Sequence, residues 1–213
     1  QIGSIRSHAS LMSRIAKACA RPVIGFDYRL APEHRCPAAS DDCFAVYTAL
    51  IEQGVVPHTL MGDSAGGALA LGTAMRARDA GLPLPRKLVL ISPWLDLTMS
   101  SASYETLKDQ DIFSKPEQLR LMARTYVGRN GDASDPLASP VFGNLGDLPP
   151  ILIHAGGADI TCDDSIMLKT KAEAHGTSIA VKIFPGMVHH FQMFTCLPEA
   201  AQSLADIADF VNA

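Results

Sequence analysis

Gly62-Asp63-Ser64-Ala65-Gly66-Gly67 joins a short apolar strand, Thr59 to Met61, to a helix of small residues running from Ala65 to Ala80. A serine at the tip of so abrupt a turn is held in strained backbone geometry with its hydroxyl exposed. Glycines two positions either side, Gly62 and Gly66, remove side chains that would collide with the neighbouring strand and helix. The stretch predicts a nucleophile elbow at Ser64.

A serine hydroxyl is a weak nucleophile at neutral pH, so it needs a base in reach and an acid that orients the base. Downstream of an elbow the chain order to look for is Asp or Glu, then His. Ile151 to Ala155 reads as a buried strand, and the loop after it carries Asp159. Ser178 to Phe184 reads as another strand, followed by Pro185-Gly186-Met187-Val188-His189-His190-Phe191. Each candidate lies just past the carboxyl end of a strand, where parallel α/β sheets keep their chemistry.

Composition narrows the function classes. A chain of 213 residues, 47% hydrophobic, is long enough for one sizeable core and contains no stretch resembling an interdomain linker. A net charge of −4 and the lack of basic clusters interleaved with aromatics argue against nucleic acid as a partner. No apolar run has the length of a membrane span. Cys19, Cys36, Cys43, Cys162 and Cys196 are odd in number and scattered, which predicts reduced thiols in a cytoplasmic protein rather than a disulfide frame. No histidine pair has the spacing of a zinc protease, and neither metal nor cofactor is expected.

Short β-branched runs alternate with amphipathic windows. Helices are predicted over Ile5 to Ala20, Pro37 to Gln53, Asp163 to His175 and Pro198 to Val211, and further strands over Val23 to Tyr28 and Lys87 to Ser92. That alternation predicts a mainly parallel sheet covered by helices on both faces. It breaks down after Leu97, where one helical window, Pro116 to Tyr126, sits among charged turns. The core is therefore expected in residues 1–97 and 149–213, and residues 98–148 are expected to form a lid over the sheet's C-terminal edge.

Five stretches occur together in one order: D-Y-R-L-A-P-E-H at Asp27 to His34, G-D-S-A-G-G at Gly62 to Gly67, S-P-W-x-D-L at Ser92 to Leu97, D-P-L-A-S-P at Asp135 to Pro140, and P-G-M-x-H at Pro185 to His189. In this the chain resembles the bacterial hormone-sensitive-lipase-like carboxylesterases of the α/β-hydrolase fold, from Gly3 to its C-terminus. The resemblance implies Ser64 as nucleophile, His189 as base and Asp159 as acid, the residues that strand position also selects. It implies the N–H of Ala65 as an oxyanion donor, a pocket walled by Asp63, Trp94, Val188 and Phe191, and a small-molecule ester of short or medium acyl chain as substrate. A lactone could be opened by the same steps, and a non-catalytic ligand-binding member of the fold is the rival from another class.

Other residues receive structural expectations. His190 rivals His189 as base. Asp163 and Asp164 rival Asp159 but are expected to cap the following helix. His154 is expected in the core, and His8, His34, His58 and His175 have no acid and serine to join. Arg29 and Glu33 are expected to pair with each other, and Asp96 to serve as a hydrogen-bond acceptor. A homodimer through the edge strand Ile179 to Phe184 is an expectation from edge exposure.

The resemblance also implies departures. The family's H-G-G-G oxyanion loop lies before the segment equivalent to Ile2-Gly3-Ser4, so of those donors only the Ala65 N–H is in the sequence. Each lost donor slows turnover by about 10²- to 10³-fold. The family's third strand lies between those equivalent to Val23 and Thr59, and it too would precede Gln1. The expectation is that the chain is part of a longer protein.

Overall fold

The computed structural model describes residues 2–213. Four strands, β1 (Thr59–Asp63), β2 (Lys87–Ile91), β3 (Ile151–Gly156) and β4 (Ile179–Phe184), form one parallel sheet in the order β1-β2-β3-β4. Helices α1 (Ile5–Cys19), α2 (Ala38–Glu52), α3 (Ala65–Asp79), α4 (Ser103–Thr106), α5 (Pro116–Val127), α6 (Cys162–Ala174) and α7 (Pro198–Asn212) connect and cover them.

The strands alternate in the face they present, as a side-chain period of two demands. Leu88 and Leu90 of β2 and Ile151 and Ile153 of β3 pack with Leu71 of α3 and Leu168 of α6. Val89, Ile91 and Leu152 point the other way, onto Leu11 and Ile15 of α1 and Leu204, Ile207 and Val211 of α7. Two apolar layers therefore sandwich the sheet, and each fully buried aliphatic side chain contributes roughly 1.5 to 3 kcal/mol. None of the described helices is long and apolar enough to cross a membrane.

Two expectations are corrected. Val23 to Tyr28 is not a strand: it runs without ladder bonds, and Val23, Ile24 and Phe26 are exposed. A β-branched run becomes a strand only beside a partner, and among the described residues β1 is paired with β2 alone. Arg29 does not pair with Glu33. It grips Asp42 of α2 through its side chain at 2.6 Å and through its own N–H at 2.8 Å, fastening this loop to a helix.

Residues 98–148 contain α4, α5 and a short 3-10 turn at Pro140–Phe142, and they pack on the rest through an apolar cluster that joins their Tyr104, Leu119, Ala123 and Ala138 to Trp94, Leu97 and Ile160. Asp163 and Asp164 lie in the first turn of α6, where acidic residues complement the helix dipole as expected, and their side chains also fasten this segment. Buried Asp164 accepts from the N–H groups of Leu95 and Asp96 and from the hydroxyls of Tyr104 and Ser101, while Asp163 accepts from the N–H of Ser103. Burial pushes the Asp164 carboxyl up to about 7 despite those donors. Asp96 serves as the expected acceptor, taking bonds from the N–H and hydroxyl groups of Thr98 and Ser100.

Candidate active site

β1 ends at Asp63, and Ser64 turns the chain into α3 with φ 52° and ψ −123°. That backbone costs a non-glycine residue of order 1 to 3 kcal/mol, so the surroundings must hold it. The Ser64 N–H donates to the Ile91 carbonyl at 2.9 Å, and its own carbonyl accepts from Trp94 N–H at 3.1 Å. A Cβ on Gly62 would lie 2.0 Å from the Gly66 carbonyl oxygen, and one on Gly67 would lie 2.8 Å from Cβ of Pro93. At Gly66 the nearest atom would be 3.9 Å away. The steric partners of the elbow are thus Gly62 and Gly67, which corrects the expectation for Gly66.

The register of the sheet brings the three strand ends together. Asp63 lies beside Ile91, Ile91 beside His154, and Gly156 beside Phe184. From β3 the chain turns through Gly157 and Ala158 to Asp159; from β4 it turns through Gly186 to His189. Nε2 of His189 lies 3.0 Å from Oγ of Ser64, and Nδ1 lies 2.7 Å from Oδ2 of Asp159. With the proton on Nδ1, the neutral ring donates to Asp159 and accepts from the Ser64 hydroxyl.

Asp159 is fully buried, and its second oxygen, Oδ1, accepts from the N–H and hydroxyl of Thr161, both at 2.9 Å. Burial disfavours its charge, but His189 and the two Thr161 donors outweigh that and hold its carboxyl below the usual range. Burial likewise disfavours a charged His189, and Asp159, followed by Asp111 and Asp63, raises its proton affinity all the same.

His190, the rival, points elsewhere. Its ring stacks on His189, its N–H donates to Oγ of Ser92 at 3.3 Å, and its Nε2 lies 3.2 Å from Oδ2 of Asp63 without hydrogen-bond geometry. The same Asp63 oxygen accepts from Nε2 of His8 at 3.0 Å. His8 therefore has an acid, contrary to expectation, and it sits in the second layer of the site. Nothing local could have signalled this, because α1 delivers His8 from 55 residues upstream of Asp63.

Of the expected pocket residues, Trp94 is buried in the cluster beneath residues 98–148, and Asp63 and Val188 are partly exposed. Phe191 is removed from that set: it is fully buried against Phe184 and Ala200 and fills core. His154 is a core residue, with Nδ1 2.8 Å from Oγ of Ser203. Among the described residues no group of His, Cys, Asp and Glu could hold a metal ion, and the cysteines form no disulfide.

Residues 1–193 match the family described by the alpha/beta hydrolase fold. The chain is 39% identical to an esterase of Acinetobacter venetianus and 40% identical to an acetyl-hydrolase of Streptomyces hygroscopicus, in each case over 99% of this chain and 71% of the relative. It superposes with a TM-score of 0.95 on an esterase from the bacterial hormone-sensitive lipase family, at 38% identity, covering 99% of this chain and 71% of that one.

Proposed function

This chain belongs to the α/β-hydrolase family and, within it, to the bacterial hormone-sensitive-lipase-like carboxylesterases, and on that premise we propose that it hydrolyses small-molecule esters with Ser64, His189 and Asp159 as its triad. The observation that supports the assignment most is the unbroken relay from Ser64 Oγ to His189 Nε2 at 3.0 Å and from His189 Nδ1 to Asp159 Oδ2 at 2.7 Å.

In this reading Ser64 Oγ attacks the ester carbonyl carbon while Nε2 of His189 takes the hydroxyl proton. The new imidazolium is stabilised by Asp159, whose remaining oxygen is occupied by Thr161. The carbonyl oxygen, now an oxyanion, faces the N–H of Ala65 at the first turn of α3, where backbone donors and the helix dipole favour negative charge. Collapse expels the alcohol, which takes the proton back from Nε2. Water, deprotonated by the same nitrogen, then attacks the acyl-serine, and the second collapse releases the acid and restores the hydroxyl.

Residues 98–148 are the lid in this reading, and short or medium acyl chains are the preferred substrates. The thiols of the five free cysteines accord with a cytoplasmic location. β4 has one unpaired edge among the described residues, the surface through which two copies would align. Hydrolysis of p-nitrophenyl esters from acetate to decanoate tests the assignment. Activity falling with chain length and lost in Ser64→Ala supports it; equal activity with and without the Ser64 hydroxyl overturns it.

A further inference from the structure

Asp111 is fully buried although its neighbours Lys108, Asp109, Gln110 and Ile112 are exposed. Its Oδ1 accepts from the N–H groups of Phe113 and Ser114 at 2.8 and 2.9 Å, closing a local turn. Its Oδ2 leaves that segment and accepts from the N–H of Ile160 at 3.0 Å. Ile160 follows Asp159 directly, and its carbonyl accepts from the hydroxyl of Ser103 at 2.7 Å. Residues 103 and 111 therefore hold both peptide planes of Ile160, one by its N–H and the next by its carbonyl.

That second plane carries the N–H of Thr161, which occupies Oδ1 of Asp159 and leaves Oδ2 to face His189. A shift of Ile160 would accordingly turn the Asp159 carboxylate away from the imidazole.

The charge on Asp111 is not needed for its own turn. An asparagine oxygen closes such a turn equally well. Nor does Asp111 form an ion pair among the described residues: Nζ of Lys115 donates to its main-chain carbonyl, at 2.8 Å, rather than to its carboxylate. A buried carboxylate held by backbone donors alone is costly, and what it provides over asparagine is a second acceptor for Ile160. Its charge also helps to raise the proton affinity of His189, whose ionisable and charged surroundings are Asp159, Asp111, Asp63 and the stacked ring of His190.

We propose that Asp111 is a positioning residue for ester hydrolysis, pinning Ile160 so that Asp159 is aimed at His189. The proposal rests on the reading of Ser64, His189 and Asp159 as the triad.

Asp111→Asn tests it, because the amide keeps the Phe113 and Ser114 bonds but sets an N–H2 group against the Ile160 N–H. With a short p-nitrophenyl ester, kcat is expected to fall about 10- to 100-fold with KM within about 3-fold, the loss typical of a misaimed catalytic group. The acid limb of the kcat/KM profile is expected to move to lower pH, while the exposed neighbour variant Asp109→Asn changes neither. Unchanged kcat and an unmoved limb in folded Asp111→Asn overturn the proposal, as does a change confined to KM. Should Asp111→Asn not fold, Ser103→Ala releases the other plane of Ile160 and is read by the same two criteria. Ser64→Ala separates the two levels: if it is inactive while Asp111→Asn matches the parent, the positioning role alone falls; if it retains activity, both fall.

Discussion

The rings of His189 and His190 stack with centroids 4.1 Å apart, and these chain neighbours diverge in proton affinity. Asp159 and its fellow carboxylates raise His189 in spite of burial, whereas burial and the adjoining His189 push His190 down to about 4. One ring is prepared to take a proton and the other to stay neutral beside it.

Replacing each in turn should separate them. His189→Ala is expected to lose about 10⁴- to 10⁶-fold in kcat, the range for removal of a triad base. His190→Ala should lose no more than about 10-fold, since a ring contact is worth roughly 0.5 to 1.5 kcal/mol. Steady-state kinetics of the two variants check this, and comparable losses would make His190 a second proton carrier.

The pH profile follows from the sign of the His189 shift. Only the neutral ring can accept the serine proton, so kcat/KM should fall on the acid side with a midpoint above 6.5. Asp159→Asn should move that limb to lower pH and cost about 10⁴-fold in kcat. Stability runs the opposite way for this residue. The folded state holds the His189 proton more tightly than the unfolded chain, so its contribution is complete below pH 6.5 and disappears as pH rises through the folded value. Melting temperatures of the parent and His189→Ala from pH 5 to 9 measure it.

His154 gives the reverse dependence. Burial lowers it to about 4, and among the described residues only its Nδ1 has a hydrogen-bond partner, Ser203. The unfolded chain therefore binds a proton first, and stability present above pH 6.5 is lost as pH falls towards 4. The full loss is on the order of 3 kcal/mol. His154→Leu should flatten the decline in denaturant midpoint between pH 7 and 4.5.

The elbow glycines should respond unequally. Gly62→Ala drives a methyl to within 2.0 Å of a backbone oxygen and should abolish activity with a loss of several kcal/mol in stability. Gly67→Ala meets Cβ of Pro93 at 2.8 Å and should cost about 1 to 3 kcal/mol. Gly66→Ala meets no close atom and gains helix propensity, so a stability increase of up to about 1 kcal/mol is expected. Denaturant titration of the three variants ranks them.

The strands and helices of the core, with their order, were legible because apolar runs of strand length alternate with helical stripes, and Ser64, Asp159 and His189 stood out by following strand ends. What stayed hidden depends on partners distant in the chain. Val23 to Tyr28 has the composition of a strand but no neighbour to pair with among the described residues. Arg29 chose Asp42 on a helix over Glu33 in its own loop, and Asp164 also fastens residues 98–148 through Ser101 and Tyr104. His8 and Asp111 reach the site only through α1 and the turn after α4, and no local pattern marks either.

Ser64 occupies a backbone position at φ 52° where a residue without a side chain would sit more comfortably. A population of variants screened for heat resistance alone would be drawn towards glycine there, and with Ser64 as the proposed nucleophile each such winner would be silent as a hydrolase. On that proposal, serine kept at this angle is the trace of a sequence shaped for turnover against the pull of its own folding.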